Sequence, residues 1–262
     1  MLEKIIKSIN HKHVIYFTAI ILLASYISIL LVDLLNIFNS RALLQGLEIP
    51  ILWNYLFREK GPIEIIQWIF LGAFTVTSAF TAFKLKEKGK RRERIFWTLF
   101  AIAGTIMLIE DAANIRHFAV RQLQLTWHTG KILELFFFGS IGIIMLAALI
   151  RYREEVFQHR TTAKLVILGF IFYGSAAFIS GPSDLVGTTT VLGESLYSAT
   201  TRIGGPGLIE VYEEVDQVAR EIGGLDIRYR LVDFLVEESL ELLGAAFLLA
   251  SSLSYWKHII RG

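Results

Sequence analysis

Six long apolar runs divide this sequence, at residues 14–38, 62–84, 95–115, 132–150, 164–181 and 231–256. At 1.5 Å of rise per residue, each can cross roughly 30 Å of hydrocarbon as a helix. One large connection, residues 182–230, separates the last two runs. It opens on a Gly/Pro/Thr-rich stretch, GPSDLVGTTT. It continues into LIEVYEEVDQVAREI, where Leu208, Val211, Tyr212, Val215, Val218, Ala219 and Ile222 recur at helical spacing. That spacing predicts an amphipathic helix over 208–222 with an acidic outer face, stopped by Gly223 and Gly224. The expected fold is all-α: a polytopic bundle of about six transmembrane helices forming a single membrane domain, 1–262, with an extracytoplasmic amphipathic helix over its mouth.

Composition agrees. Of the 262 residues, 54% are hydrophobic and only 19% charged, and mean hydropathy is +0.53. A soluble domain carries nearer a quarter charged residues. There is no cysteine, which excludes disulfides, thiolate metal sites and cysteine nucleophiles. The first run lacks an A-x-A-like cleavage site and reads as a retained helix. Net charge is only +2, so a nucleic-acid partner is not expected and the bilayer is. A membrane-protein partner or a second copy of the chain stays open.

The basic residues set the orientation. The N-terminus, the second and fourth connections and the C-terminus hold 16 Lys and Arg, against 10 in the other three connections. The sharpest marker is KLKEKGKRRER, from Lys84 to Arg94. By the positive-inside rule, both termini are expected in the cytoplasm.

With that orientation the acids gather on one side. Glu110 and Asp111 fall at the outer end of the third run, and Asp233, Glu237, Glu238 and Glu241 in the outer half of the sixth. An acid at the centre of a spanning helix costs about 2.5–3.5 kcal/mol, while a leucine returns only about 0.3–0.6 kcal/mol. These side chains are therefore expected to face protein or water. At α-helical steps, Asp233, Glu237, Glu241 and Gly244 form one stripe, and Glu110, Asn114, His117 and Arg121 another. Two polar stripes at one depth predict that the third and sixth helices face each other. Glu110, Asp111, Asn114, Asp233, Glu237, Glu238 and Glu241 are the candidate lining of a polar cavity that takes a cation, a proton or a polar lipid head.

Of the six histidines, only His117 and His128 fall on the outer side. With Glu110 they are candidate ligands for a divalent cation, the cofactor of an alternative reading as a metal-dependent membrane hydrolase acting on lipid. No HExxH or Glu-x-x-His pair is present. Phosphate-binding glycine loops and a serine-hydrolase elbow are also absent.

IEDAAN at 109–114, with EESLELLG at 237–244, resembles a group of uncharacterised prokaryotic multi-pass membrane proteins. In these one helix carries a paired acid in a GEEISWGQ-like motif, and a C-terminal helix carries Glu-Glu followed by Glu-x-Leu-Gly. Glu110-Asp111 matches the paired acid, and Glu238, Glu241 and Gly244 the later motif. Asn114-Ile115-Arg116-His117 stands where that group has Ser-Trp-Gly-Gln. The resemblance implies a prokaryotic plasma-membrane protein and brings no activity with it. Ceramidase-like membrane hydrolases are the enzyme comparison; they place three histidines and an aspartate on seven helices, against two outer histidines and six spans here. A third reading is an accessory subunit of a membrane complex.

Overall fold

The computed structural model describes residues 8–113, 122, 127–180, 187–221 and 225–261. Among these, every regular element is helical. Six helices run for 19 residues or more: α1 His11–Ile29, α2 Pro62–Glu87, α3 Arg91–Ala113, α4 Trp127–Arg151, α5 Arg160–Ser180 and α6 Glu238–Arg261.

Among the described residues, four stretches are both long and apolar enough to cross a membrane: His11–Leu34, Leu52–Glu87, Arg91–Ala113 and Arg160–Ile179. The run expected at 132–150 lies within α4, whose apolar described stretch is the shorter Gly139–Arg151. The run expected at 231–256 is not one α-helix. It begins as a π-helix, Leu231–Glu237, and becomes α-helical from Glu238. A π-helix closes its hydrogen bonds one residue later than an α-helix. The four-residue steps that put Asp233 and Glu237 in line with Glu241 therefore do not hold there.

The amphipathic helix expected over 208–222 is Pro206–Glu221, and it buries Leu208, Val211, Tyr212, Val215 and Ala219. A second helix, Thr188–Gly204, precedes it where the sequence offered a Gly/Pro/Thr-rich stretch. Gly205, at φ +66°, ends that helix, and Pro206 starts the next. Both positions suit their residues: glycine accepts the left-handed backbone, and proline needs no N–H in a first turn.

The chain packs as two compact units. The first takes residues up to 18, 66–175 and from 241 onward; the second takes 19–65 and 176–240.

In the first unit, α2 and α3 run antiparallel. Gly72 faces Leu108, and Gly104 faces Phe74 and Thr75. Helices α5 and α6 also run antiparallel: Gly244 meets Tyr173, Gly169 meets Leu248, and Thr162 Oγ1 donates to Ser254 Oγ at 3.3 Å. Small residues at these crossings let the backbones approach. An aromatic cluster closes one end, with Phe96 and Phe100 4.2 Å apart and Trp97 and Tyr255 5.0 Å apart.

The distribution of polarity is the reverse of a water-soluble protein. Tyr16, Ile20, Ile69, Ile143 and Ile150 are each more than 60% exposed, while Gln67, Ser78, Thr81, Ser251 and Ser252 are wholly buried. Apolar exposure on this scale needs a covering of lipid or protein.

In the second unit, Asp33 is buried and holds the start of the short helix Leu52–Phe57. The Leu52 N–H donates to its Oδ1 at 2.9 Å and the Trp53 N–H to its Oδ2 at 2.8 Å. Asp216 accepts from the Ile227 N–H at 2.6 Å, and Asp226 caps the turn Ile227–Arg230 through the Tyr229 N–H at 2.9 Å. Arg228 pairs with Glu194 at 3.1 Å and lies over the Tyr197 ring.

Candidate functional site

Four helices of the first unit, α2, α3, α5 and α6, deliver polar side chains to one point. Gln67, in the second turn of α2, is 0% exposed. Its Nε2 donates to Asp111 Oδ2 at 2.9 Å, to Tyr173 Oη at 2.9 Å and to Glu241 Oε2 at 2.7 Å. Asp111 comes from the last turn of α3 and Glu241 from the first turn of α6. Tyr173, from α5, donates its own hydroxyl hydrogen to Asp111 Oδ2 at 2.9 Å. Glu110 stands beside Asp111 and is 1% exposed.

Local sequence places these groups. Pro62 starts α2 in a position that costs no hydrogen bond, with Glu64 in its first turn and Lys84 and Lys86 in its last, as the helix dipole favours. Gly244, three residues past Glu241, has no side chain, so α6 closes onto Tyr173. That approach brings the phenol and both carboxylates to the same amide.

The chemistry follows from the donor count. An amide nitrogen carries two hydrogens, so three oxygens share them. Asp111 Oδ2 and Glu241 Oε2 each lie within 2.9 Å of the one nitrogen. Two carboxylates so placed, away from water, repel unless a proton or cation lies between them. The remaining amide oxygen, Gln67 Oε1, is buried and has no partner among the described residues. It is free to accept from a donor, such as a protonated carboxyl or a water.

Of the candidate lining, Asp111 and Glu241 meet at one amide and Glu110 adjoins them. Glu237 and Glu238 are buried and Asp233 half-buried, all in the second unit. Asn114 and His117 lie outside the described residues, as does the side chain of His128. Among the described residues no group of three or more His, Asp or Glu is arranged to hold a metal ion. Sequence reading did not single out Gln67 or Tyr173. The only available signal was a lone amide and a lone phenol inside otherwise apolar spans, at the depth of the acids.

Long apolar helices, exposed apolar surface and inward-turned polar groups define an α-helical membrane protein with a buried carboxyl centre. Comparison with models of known protein families, with curated proteins and with solved structures finds no match for this chain.

Proposed function

We propose that this is a multi-pass protein of a prokaryotic plasma membrane whose Asp111–Glu241 centre takes up and holds a proton. Both termini face the cytoplasm in this reading, six helices cross the bilayer, and the centre lies toward the outer side. The observation that carries it is the convergence of two carboxylates from separate helices on the Gln67 amide, with Tyr173 as a further donor. A proton removes one of two close buried charges without needing a ligand shell. A hard divalent cation needs six or more oxygens, or keeps its waters. Here N–H and O–H donors already face the carboxyl oxygens. Intramembrane acids that face protein are characteristic of proton-handling sites. The resemblance to multi-pass proteins with a paired acid and a Glu-x-Leu-Gly helix supports the same positions, through Glu110-Asp111 and Glu241 with Gly244.

Infrared difference spectroscopy of the purified protein in lipid nanodiscs tests this reading. A protonated-carboxyl C=O band is expected near neutral pH, lost or shifted in Asp111→Asn and in Glu241→Gln. A wild-type spectrum with no such band, or with one that neither substitution touches, overturns it.

A further inference from the structure

The first unit buries a second set of polar groups that the carboxyl centre does not use. On α2, Gln67, Ser78 and Thr81 lie within about 60° of one another at 3.6 residues per turn, so they share one face. All three are wholly buried. Ser78 Oγ and Thr81 Oγ1 have no hydrogen-bond partner among the described residues, nor has the buried Thr75 Oγ1 between them and Gln67. This departs from the habit of the chain. Thr18 donates to the Val14 carbonyl at 2.9 Å, Thr98 to Arg94 at 2.9 Å and Thr105 to Ala101 at 2.8 Å. Such back-bonding is the usual resort of a hydroxyl in an apolar helix. Ser78 and Thr81 leave their hydroxyls for another partner. Gly104 faces Thr75 without a side chain, and a Cβ there would fall 2.6 Å from Thr75 Oγ1.

Helix α6 repeats the spacing. Ser252 lies eleven residues after Glu241, as Ser78 lies eleven after Gln67, and eleven residues are three turns. The two helices run in the same direction. They are joined by the Gln67–Glu241 bond and again where Lys88 Nζ donates to the Ile259 carbonyl at 2.5 Å. Ser78 and Ser252 therefore sit at one level, about 16 Å along from the carboxyl centre. The Ser252 hydroxyl, however, donates to the Leu249 carbonyl at 2.9 Å, which leaves the α2 hydroxyls as the ones without a partner among the described residues. Beyond them the Tyr255 hydroxyl donates to Glu93 Oε2 at 2.8 Å, and the rings of His159 and His258 stand 3.5 Å apart. His159 is half-buried and His258 exposed. Lys90, paired with Glu93 at 3.2 Å, and Lys88 also face this cluster.

We propose that the hydroxyls of Thr75, Ser78 and Thr81, joined by bound water, carry protons between the carboxyl centre and the Glu93–Tyr255–His159–His258 cluster. The proposal rests on the proton-holding reading of that centre. Buried hydroxyls without a protein partner are where internal water binds. Each transfer breaks one O–H bond on a donor oxygen and forms one on the next. Every hydroxyl and water is restored, and the net result is one proton moved between bulk water at the cluster and a carboxylate oxygen.

The test follows hydrogen–deuterium exchange of the protonated-carboxyl band after a step into heavy water, on the full chain in nanodiscs. Ser78→Ala combined with Thr81→Val is expected to slow exchange roughly tenfold or more, as loss of bridging hydroxyls requires, with the band itself unchanged. The isosteric Thr81→Val alone gives a smaller slowing and guards against misfolding of the pair. Thr98→Val and Thr105→Val, whose hydroxyls are satisfied by their own helix, leave the rate unchanged. A band with wild-type exchange in Ser78→Ala/Thr81→Val overturns the path and leaves the centre standing. Absence of the band in the wild type overturns both.

Discussion

Gly244 packs directly on Tyr173: a methyl on its Cα would fall 2.6 Å from Tyr173 Cδ2 and 2.9 Å from the Tyr173 backbone nitrogen. The nearer atom could rotate away, but the backbone cannot. Gly244→Ala should therefore destabilise the protein by about 1–3 kcal/mol, the usual cost of overpacking, despite alanine's better helix propensity. Gly174 is the internal control, because among the described residues nothing lies within 4 Å of the position its Cβ would take. Gly174→Ala should be neutral or slightly stabilising. Thermal unfolding in detergent compares the two, and equal melting temperatures would contradict this account of the α5–α6 crossing.

Gln67 is the hinge of the carboxyl centre. Gln67→Leu removes the shared donor and leaves Asp111 and Glu241 facing an apolar side chain. A loss of about 1–3 kcal/mol is expected, the cost of an unmade buried hydrogen bond. Glu241→Gln keeps a polar group there while removing a charge, and should cost less. A Gln67→Leu variant as stable as Glu241→Gln would show that the amide holds nothing together.

Asp33 satisfies two backbone N–H groups of the 52–57 helix from a wholly buried position. Its replacement by alanine should cost about 0.5–2 kcal/mol, as loss of a helix cap does, and Asp33→Asn, which retains one acceptor oxygen, should cost less. Limited proteolysis within 46–61 reports on this directly. Cleavage there should quicken in Asp33→Ala first.

His159 and His258 give a pH dependence at the other end of the first unit. Burial, then the charge of His258 and of Lys90, holds His159 below the ordinary histidine range, with Glu93 opposing. Burial and the charges of Lys90 and Lys88 do the same for His258, again opposed by Glu93. Both rings thus favour the neutral form in the fold. Their contribution to stability is complete above the unfolded value of about 6.5 and is lost as pH falls from there through the lowered values of the folded state. The effect is small, because both rings keep contact with solvent. A melting-temperature profile across this window should flatten in His258→Asn; an unchanged slope would rule the pair out as its source.

Much of the local structure was legible. The amphipathic helix over 208–222 could be read because burial of a helical stripe leaves a 3.6-residue period in the sequence, and the long helices because a lipid-facing span leaves an unbroken apolar run. The helix Thr188–Gly204 could not, since the residues it buries are Thr189 and Gly193 while Val191 and Ile203 stay exposed, so no large apolar stripe marks its inner face. Nor could the π-helix Leu231–Glu237, because hydrophobic spacing at this length does not separate it from an α-helix.

The sequence by itself determined which segments favour lipid, and at what depth Glu110, Asp111 and Glu241 lie along their helices. Transfer free energy is a sum over residues in one segment, so it needs no knowledge of neighbours. Only the tertiary structure decided that Gln67 and Tyr173 complete the carboxyl centre, and that Ser78 and Thr81 turn from their own backbone. Those choices depend on how each helix is rotated against the next. Close approaches such as Gly244 on Tyr173, between residues distant in the chain, set that rotation.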